Sequence, residues 1–146
     1  MMRHLNAVTA GRVLFGLLFL VMGLNGFLFF LPQPKVLPEG AVAFFLAMVK
    51  TGYLMPLLAG TQVVAGVLLL SNRLVPLALA IVAPVVLNIF LFHAFIDPAR
   101  IGLAAVVLAL ELFLAWAYRD AYLPMLAIEF PVAAGRRKYH ALHDHP

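Results

Sequence analysis

Four stretches of this 146-residue chain are long enough, and free enough of charge, to cross a lipid bilayer. A helix needs about 20 apolar residues to traverse roughly 30 Å of hydrocarbon. Residues 13–31 supply 19 without a charge, 51–72 supply 22, 74–96 supply 23 with His93 neutral, and 101–118 supply 18 interrupted only by Glu111. A fifth apolar stretch, Ala41–Val49, spans nine residues between Glu39 and Lys50. It is too short to cross and is expected, between spans one and two, to lie at the interface or dip partly in.

Composition points the same way. Charged residues make up 11% of the chain and hydrophobic ones 65%, with a mean hydropathy of +1.06. A soluble domain carries about 25% charged residues because its surface must face water, so this surface is expected to face lipid. The expected fold is an all-α membrane four-helix bundle forming one domain. A segment at 119–146 ends it, with a basic tail. Arg3 and Arg12 before the first span raise a signal peptide as the alternative. The apolar run exceeds a signal core, though, and Leu31-Pro32-Gln33-Pro34 is no small-residue cleavage site. It reads as a retained helix.

Basic residues orient the bundle. With four spans, Arg3, Arg12, Arg73, Arg119, Arg136, Arg137 and Lys138 share one side, against Lys35, Lys50 and Arg100 on the other. Positively charged loops stay inside, so both termini are expected in the cytoplasm, and the membrane is expected to be a bacterial cytoplasmic one. The net charge of +4 suits anionic lipid headgroups, and no basic–aromatic surface pattern speaks for nucleic acid.

Asn25, Gln62, Asn88 and Glu111 each lie inside a different span. Counting about 1.5 Å per residue from the non-cytoplasmic ends puts Gln62 and Glu111 roughly 15–17 Å deep, and the asparagines roughly 9–12 Å deep. The expectation is one inward-facing cluster. An ionised carboxylate near the midplane costs at least about 3 kcal/mol, and no Arg or Lys is expected at that depth. Glu111 is therefore expected to be a neutral acid facing Gln62. It serves either as a hydrogen-bonding link between helices or as a proton- or ligand-anchoring group.

Other features carry less chemistry. His93 stands four residues before Asp97, close enough to pair along a helix face, and Asp97-Pro98 suits the opening of the fourth span. Pro76 suits the first turn of the third span, and Pro84 is expected to kink it. Gly23 with Gly26, or Gly60 with Gly66, would allow close helix approach, although neither pair has GxxxG spacing. His140, His143 and His145 could collect a metal, but a short unstructured tail orders no ligands. There is no cysteine, which removes disulfides and thiolate chemistry, and no cofactor motif is evident.

Three segments carry a family resemblance. They are Gly11-Arg12-Val13-Leu14-Phe15-Gly16 with Gly23-Leu24-Asn25-Gly26, then Gln62 with Gly66-Val67-Leu68-Leu69-Leu70, then Pro84-Val85-Val86-Leu87-Asn88-Ile89-Phe90-Leu91-Phe92-His93 running to Asp97-Pro98. Across residues 11–122 the chain resembles the DoxX-like membrane proteins. That family often has an acid where this chain has Gln62, whereas here Glu111 supplies one in the fourth span. The resemblance implies an accessory subunit, not catalytic on its own, in a membrane redox complex. It would bind a lipophilic molecule, with quinone as the candidate, through Asn25, Gln62, Asn88, His93 and Glu111. A membrane-protein partner or a second copy would complete it. The alternative is an assembly factor or chaperone for other membrane proteins.

Overall fold

A computed structural model describes residues 2–32 and 36–123, and all regular structure among them is helical. The helices are α1 (Met2–Leu28), α2 (Glu39–Lys50), α3 (Leu54–Leu70), α4 (Val75–Phe95) and α5 (Ile101–Ala117), with short 3-10 turns at Pro98–Arg100 and Arg119–Ala121. The histidines and basic residues of the tail lie outside the described residues.

Three helical stretches are long and apolar enough to cross a membrane: Asn6–Leu28, Val75–Phe95 and Pro98–Ala117. This fits an integral membrane protein. The second expected span, 51–72, is different. Its helix is α3 alone, and α3 meets the length test only together with α2, from which it is bent by 92°. The break has a local cause. The Thr51 hydroxyl donates to the Met48 carbonyl at 2.6 Å and accepts from the Leu54 N–H at 3.1 Å, so one side chain ends α2 and starts α3. Gly52 between them takes a left-handed backbone, φ +75°, which glycine adopts without a Cβ clash.

The first span also shifts. α1 begins well before Val13 and ends at Leu28, not Leu31. Phe29 turns into the left-handed region, φ 51°, and the Asn25 side chain accepts the Leu31 N–H at 2.7 Å. Asn25 therefore satisfies a donor just beyond the helix. α4 starts with Pro76 in its first turn, as expected, and runs as one helix through Pro84.

Although the helices are apolar all round, each buries one stripe. On α1 the stripe runs through Arg12, Phe15, Gly16, Phe19 and Gly23; on α3 through Ala59, Gln62, Ala65, Gly66 and Leu69. On α4 it is Val75, Ala78, Leu79, Val82 and Val86, and on α5 Ala104, Val107, Glu111 and Leu114. Spacings of three and four residues put each set on one face. Small residues bring α1 and α3 closest. A methyl at Gly66 would stand 2.6 Å from the Leu20 nitrogen, and one at Gly23 would stand 2.7 Å from the Val63 nitrogen. Only hydrogen fits there. Gly60, by contrast, has nothing within 4 Å of its would-be Cβ.

α2 lies outside this packing and buries only Ala41. Phe44 and Phe45 meet Phe92 of α4, with ring centroids 5.3 and 5.4 Å apart. Asp97, 3% exposed, accepts from Arg100 at 2.5 Å, and Arg100 also donates to the Val36 carbonyl at 3.2 Å. The α1–α2 linker is thereby fastened to the α4–α5 turn.

Candidate functional site

The five residues singled out in the sequence do not converge. Asn25 is half-buried and bonded to the Leu31 backbone. Asn88 is exposed on the outside of α4, so it does not join an inward cluster. His93 donates from Nδ1 to the Ile89 carbonyl at 2.8 Å, while Asp97 pairs with Arg100. The expected His93–Asp97 pair is replaced by one bond back along the helix and one forward. Asp97 likewise caps no helix with its side chain.

Gln62 and Glu111 are both buried, at 8% and 5% exposure, but at different levels. α1 serves as the ruler. Gly23 packs on Ala59 and Val63, which flank Gln62, whereas Gly11 packs on Leu110 and Leu114, which flank Glu111. Gly11 and Gly23 are twelve residues apart, which is roughly 18 Å along the helix. Counting inward from the helix ends missed this, because that count takes the ends to be level. Glu111 Oε2 is buried with no hydrogen-bond partner among the described residues.

A cation does lie at the level of Glu111, contrary to expectation. Arg12 follows Gly11 directly and is 7% exposed inside the Asn6–Leu28 stretch. Its guanidinium donates to the Leu69 carbonyl in the last turn of α3, and among the described residues it forms no ion pair with Glu111. The bond has a clear physical basis. The last four carbonyls of a helix lack intrahelical donors and carry the negative end of the dipole. The uncharged run Asn6–Gly11 ahead of Arg12 was the sequence signal that this arginine sits within a helix rather than beside it.

The same end of the bundle holds Tyr122, whose hydroxyl donates to the Pro76 carbonyl at 2.8 Å. Burial pushes the Tyr122 phenol above its ordinary pKa. Nearby, Arg119 lies over the Trp116 ring at 4.9 Å, a pairing suited to a headgroup boundary.

A cavity of about 260 Å³ opens at the opposite end, in the angle between α2 and α3. Gly26, Phe27 and Phe29 come from the end of α1, Val49 and Gly52 from the bend, and Met55 and Pro56 from the start of α3. None of these side chains is charged. Gly26 packs directly on Ala59, so the two helices close against each other beside the cavity. Sequence reading missed this feature, because it depends on the 92° bend, and only Gly52 hints at the bend.

Neither a protein-family model, nor a curated protein, nor a solved structure matches the chain.

Proposed function

We propose that the chain is a four-span membrane protein, an accessory subunit that holds a lipophilic molecule in the cavity at the α2–α3 bend. α1, α3, α4 and α5 are the crossing helices in this reading, with α2 in the interface and both termini in the cytoplasm. α3 has 17 residues, about 25 Å of helix, short by a few Å. Such a mismatch is met by local thinning of the bilayer at modest cost. The buried stripe of α3, which carries the bundle's closest helix contact with α1, supports a crossing helix more than a surface one.

The observation that carries the ligand reading is the uncharged lining of the cavity. Its position at the ends of α1 and α3 opens it to hydrocarbon at the outer leaflet. The resemblance to DoxX-like proteins supports a place in a membrane redox complex, with quinone among the candidate ligands. Native mass spectrometry on gently extracted protein tests the reading. A lipophilic adduct should persist on the wild type and be lost from Val49→Trp, where the indole fills the cavity from an exposed position. Protein that carries no adduct, but leaves the membrane with another membrane protein attached, would favour the assembly-factor alternative.

A further inference from the structure

We propose that the cavity at the bend takes one hydrocarbon chain of an anionic phospholipid from the surrounding bilayer, with Lys50 contacting the headgroup. This rests on the lipophilic-ligand reading above and narrows it to one chemical class.

Depth is the first argument. The cavity lies where α1 ends at Leu28 and α3 begins at Leu54, at the boundary between hydrocarbon and headgroups in a bundle so oriented. Tyr53, 61% exposed beside the lining residue Gly52, is a residue type enriched at that boundary. A molecule bound there has an apolar part inside and a polar part in the headgroup layer.

Size is the second. Pockets that enclose a whole drug-sized ligand measure about 300–1,000 Å³. At about 260 Å³ this cavity houses part of a molecule, and the rest must lie along the protein surface. Phe27, Phe29 and Val49 line the cavity and are also 48%, 70% and 57% exposed, so they extend an apolar surface out of it. An acyl chain fits that arrangement.

Charge is the third. Lys50 is exposed and lies in sequence between the lining residues Val49 and Gly52. Among the described residues no acid pairs with it. Glu39 is at the far end of α2, eleven residues or roughly 16 Å away. Arg100 is engaged by Asp97 and the Val36 carbonyl. A long lysine stem lets the ammonium reach the headgroup layer from the bend, and its charge selects an anionic headgroup over a zwitterionic one.

The test uses the full chain in vesicles of two compositions, one zwitterionic and one containing anionic phosphatidylglycerol. Each carries the matching phospholipid with a photoactivatable acyl chain, and crosslinked peptides are mapped by mass spectrometry. Crosslinks should fall on the peptide containing Val49, Gly52 and Met55, with the anionic probe favoured about fivefold, the effect of one basic residue near an anionic surface. Lys50→Gln should bring the two probes to parity, and Val49→Trp should abolish crosslinking of both. Equal labelling of wild type by both probes, or a preference unchanged in Lys50→Gln, would overturn the anionic-lipid inference and leave the lipophilic-ligand reading standing. Absence of labelling at the bend by either probe, and by a photoactivatable quinone, would overturn both. All three chains should show the same thermal unfolding profile, since Lys50 and Val49 are exposed.

Discussion

Arg12 reaches across 57 residues of sequence to donate its guanidinium hydrogen bond to the backbone carbonyl of Leu69. The contact joins α1 to the last turn of α3 and adds a charged donor to a carbonyl that otherwise accepts a long bond, 3.3 Å, from the Asn72 N–H. Hydrogen bonds to charged groups contribute about 1.5–3 kcal/mol, and a half-satisfied helix end within a bundle is costly. Arg12→Leu should therefore lower stability by about 2 kcal/mol, with Arg12→Lys retaining part of it. Denaturant unfolding in detergent micelles measures this. Stability unchanged in Arg12→Leu would mean that the Asn72 N–H alone satisfies the Leu69 carbonyl.

The α1–α3 seam makes a paired prediction. Gly66→Ala and Gly23→Ala each place a methyl against backbone atoms, at 2.6 and 2.7 Å, so the helices must part. Each should destabilise by about 1–3 kcal/mol. Gly60→Ala meets nothing within 4 Å and should be neutral or stabilising by up to about 1 kcal/mol through helix propensity. Thermal melts of the three variants side by side decide it; equal losses in all three would contradict the close-packed seam.

Glu111 separates a structural group from a functional one. Its Oε2 has no partner among the described residues, so replacing the side chain with an apolar one removes an unsatisfied polar atom. Such replacements are close to neutral or stabilising. Glu111→Leu should thus keep or raise the melting temperature, and Glu111→Gln should keep it. A loss above about 1 kcal/mol in Glu111→Leu would reveal an inter-helix hydrogen bond. A loss of activity in a cellular complementation assay, with stability intact, would mark the residue as functional.

Tyr122 gives a pH dependence. Its phenol titrates above the ordinary value of 10.0 in the folded chain, because burial disfavours the anion. The unfolded chain therefore loses this proton first as pH rises. The contribution is present below about pH 10 and is lost as pH climbs through the folded value. Stability should fall more steeply above pH 10 in the wild type than in Tyr122→Phe, which has no phenol to ionise. Parallel curves would show that the phenol is equally solvated in both states.

The apolar elements and their order were legible because uncharged length alone reports a helix suited to lipid. Which face turns inward was not. Val64 and Ala65 are both apolar, yet the first is exposed and the second buried, and no polar contrast marks the difference. Gly23 and Gly26 allow the close helix approach expected of them, both against α3, whereas of the second pair Gly66 does and Gly60 does not, a difference of face that spacing alone does not show. Arg12 was read as a flanking cation because it closes an apolar window. The burial of Glu111 followed from its position, but its neighbours depended on how α5 slides against α1. Asn25 was expected in an inward-facing cluster and instead satisfies the backbone just past its own helix, a role available only because α1 stops at Leu28.

The four-crossing arrangement underlies both the orientation and the leaflet assigned to the cavity, and the bend between α2 and α3 is where it is most exposed to test. If α3 crosses, Val36 and Ser71 lie on opposite sides of the membrane; if α2 and α3 form a loop that dips in and returns, they lie on the same side. The chain has no cysteine of its own, so Val36→Cys, Ser71→Cys and Leu123→Cys each offer a single thiol at an exposed position. With a membrane-impermeant maleimide on intact cells, Val36→Cys should label from outside, while Ser71→Cys and Leu123→Cys should label only after the membrane is opened. Labelling of Val36→Cys and Ser71→Cys from the same side would contradict the four-crossing account.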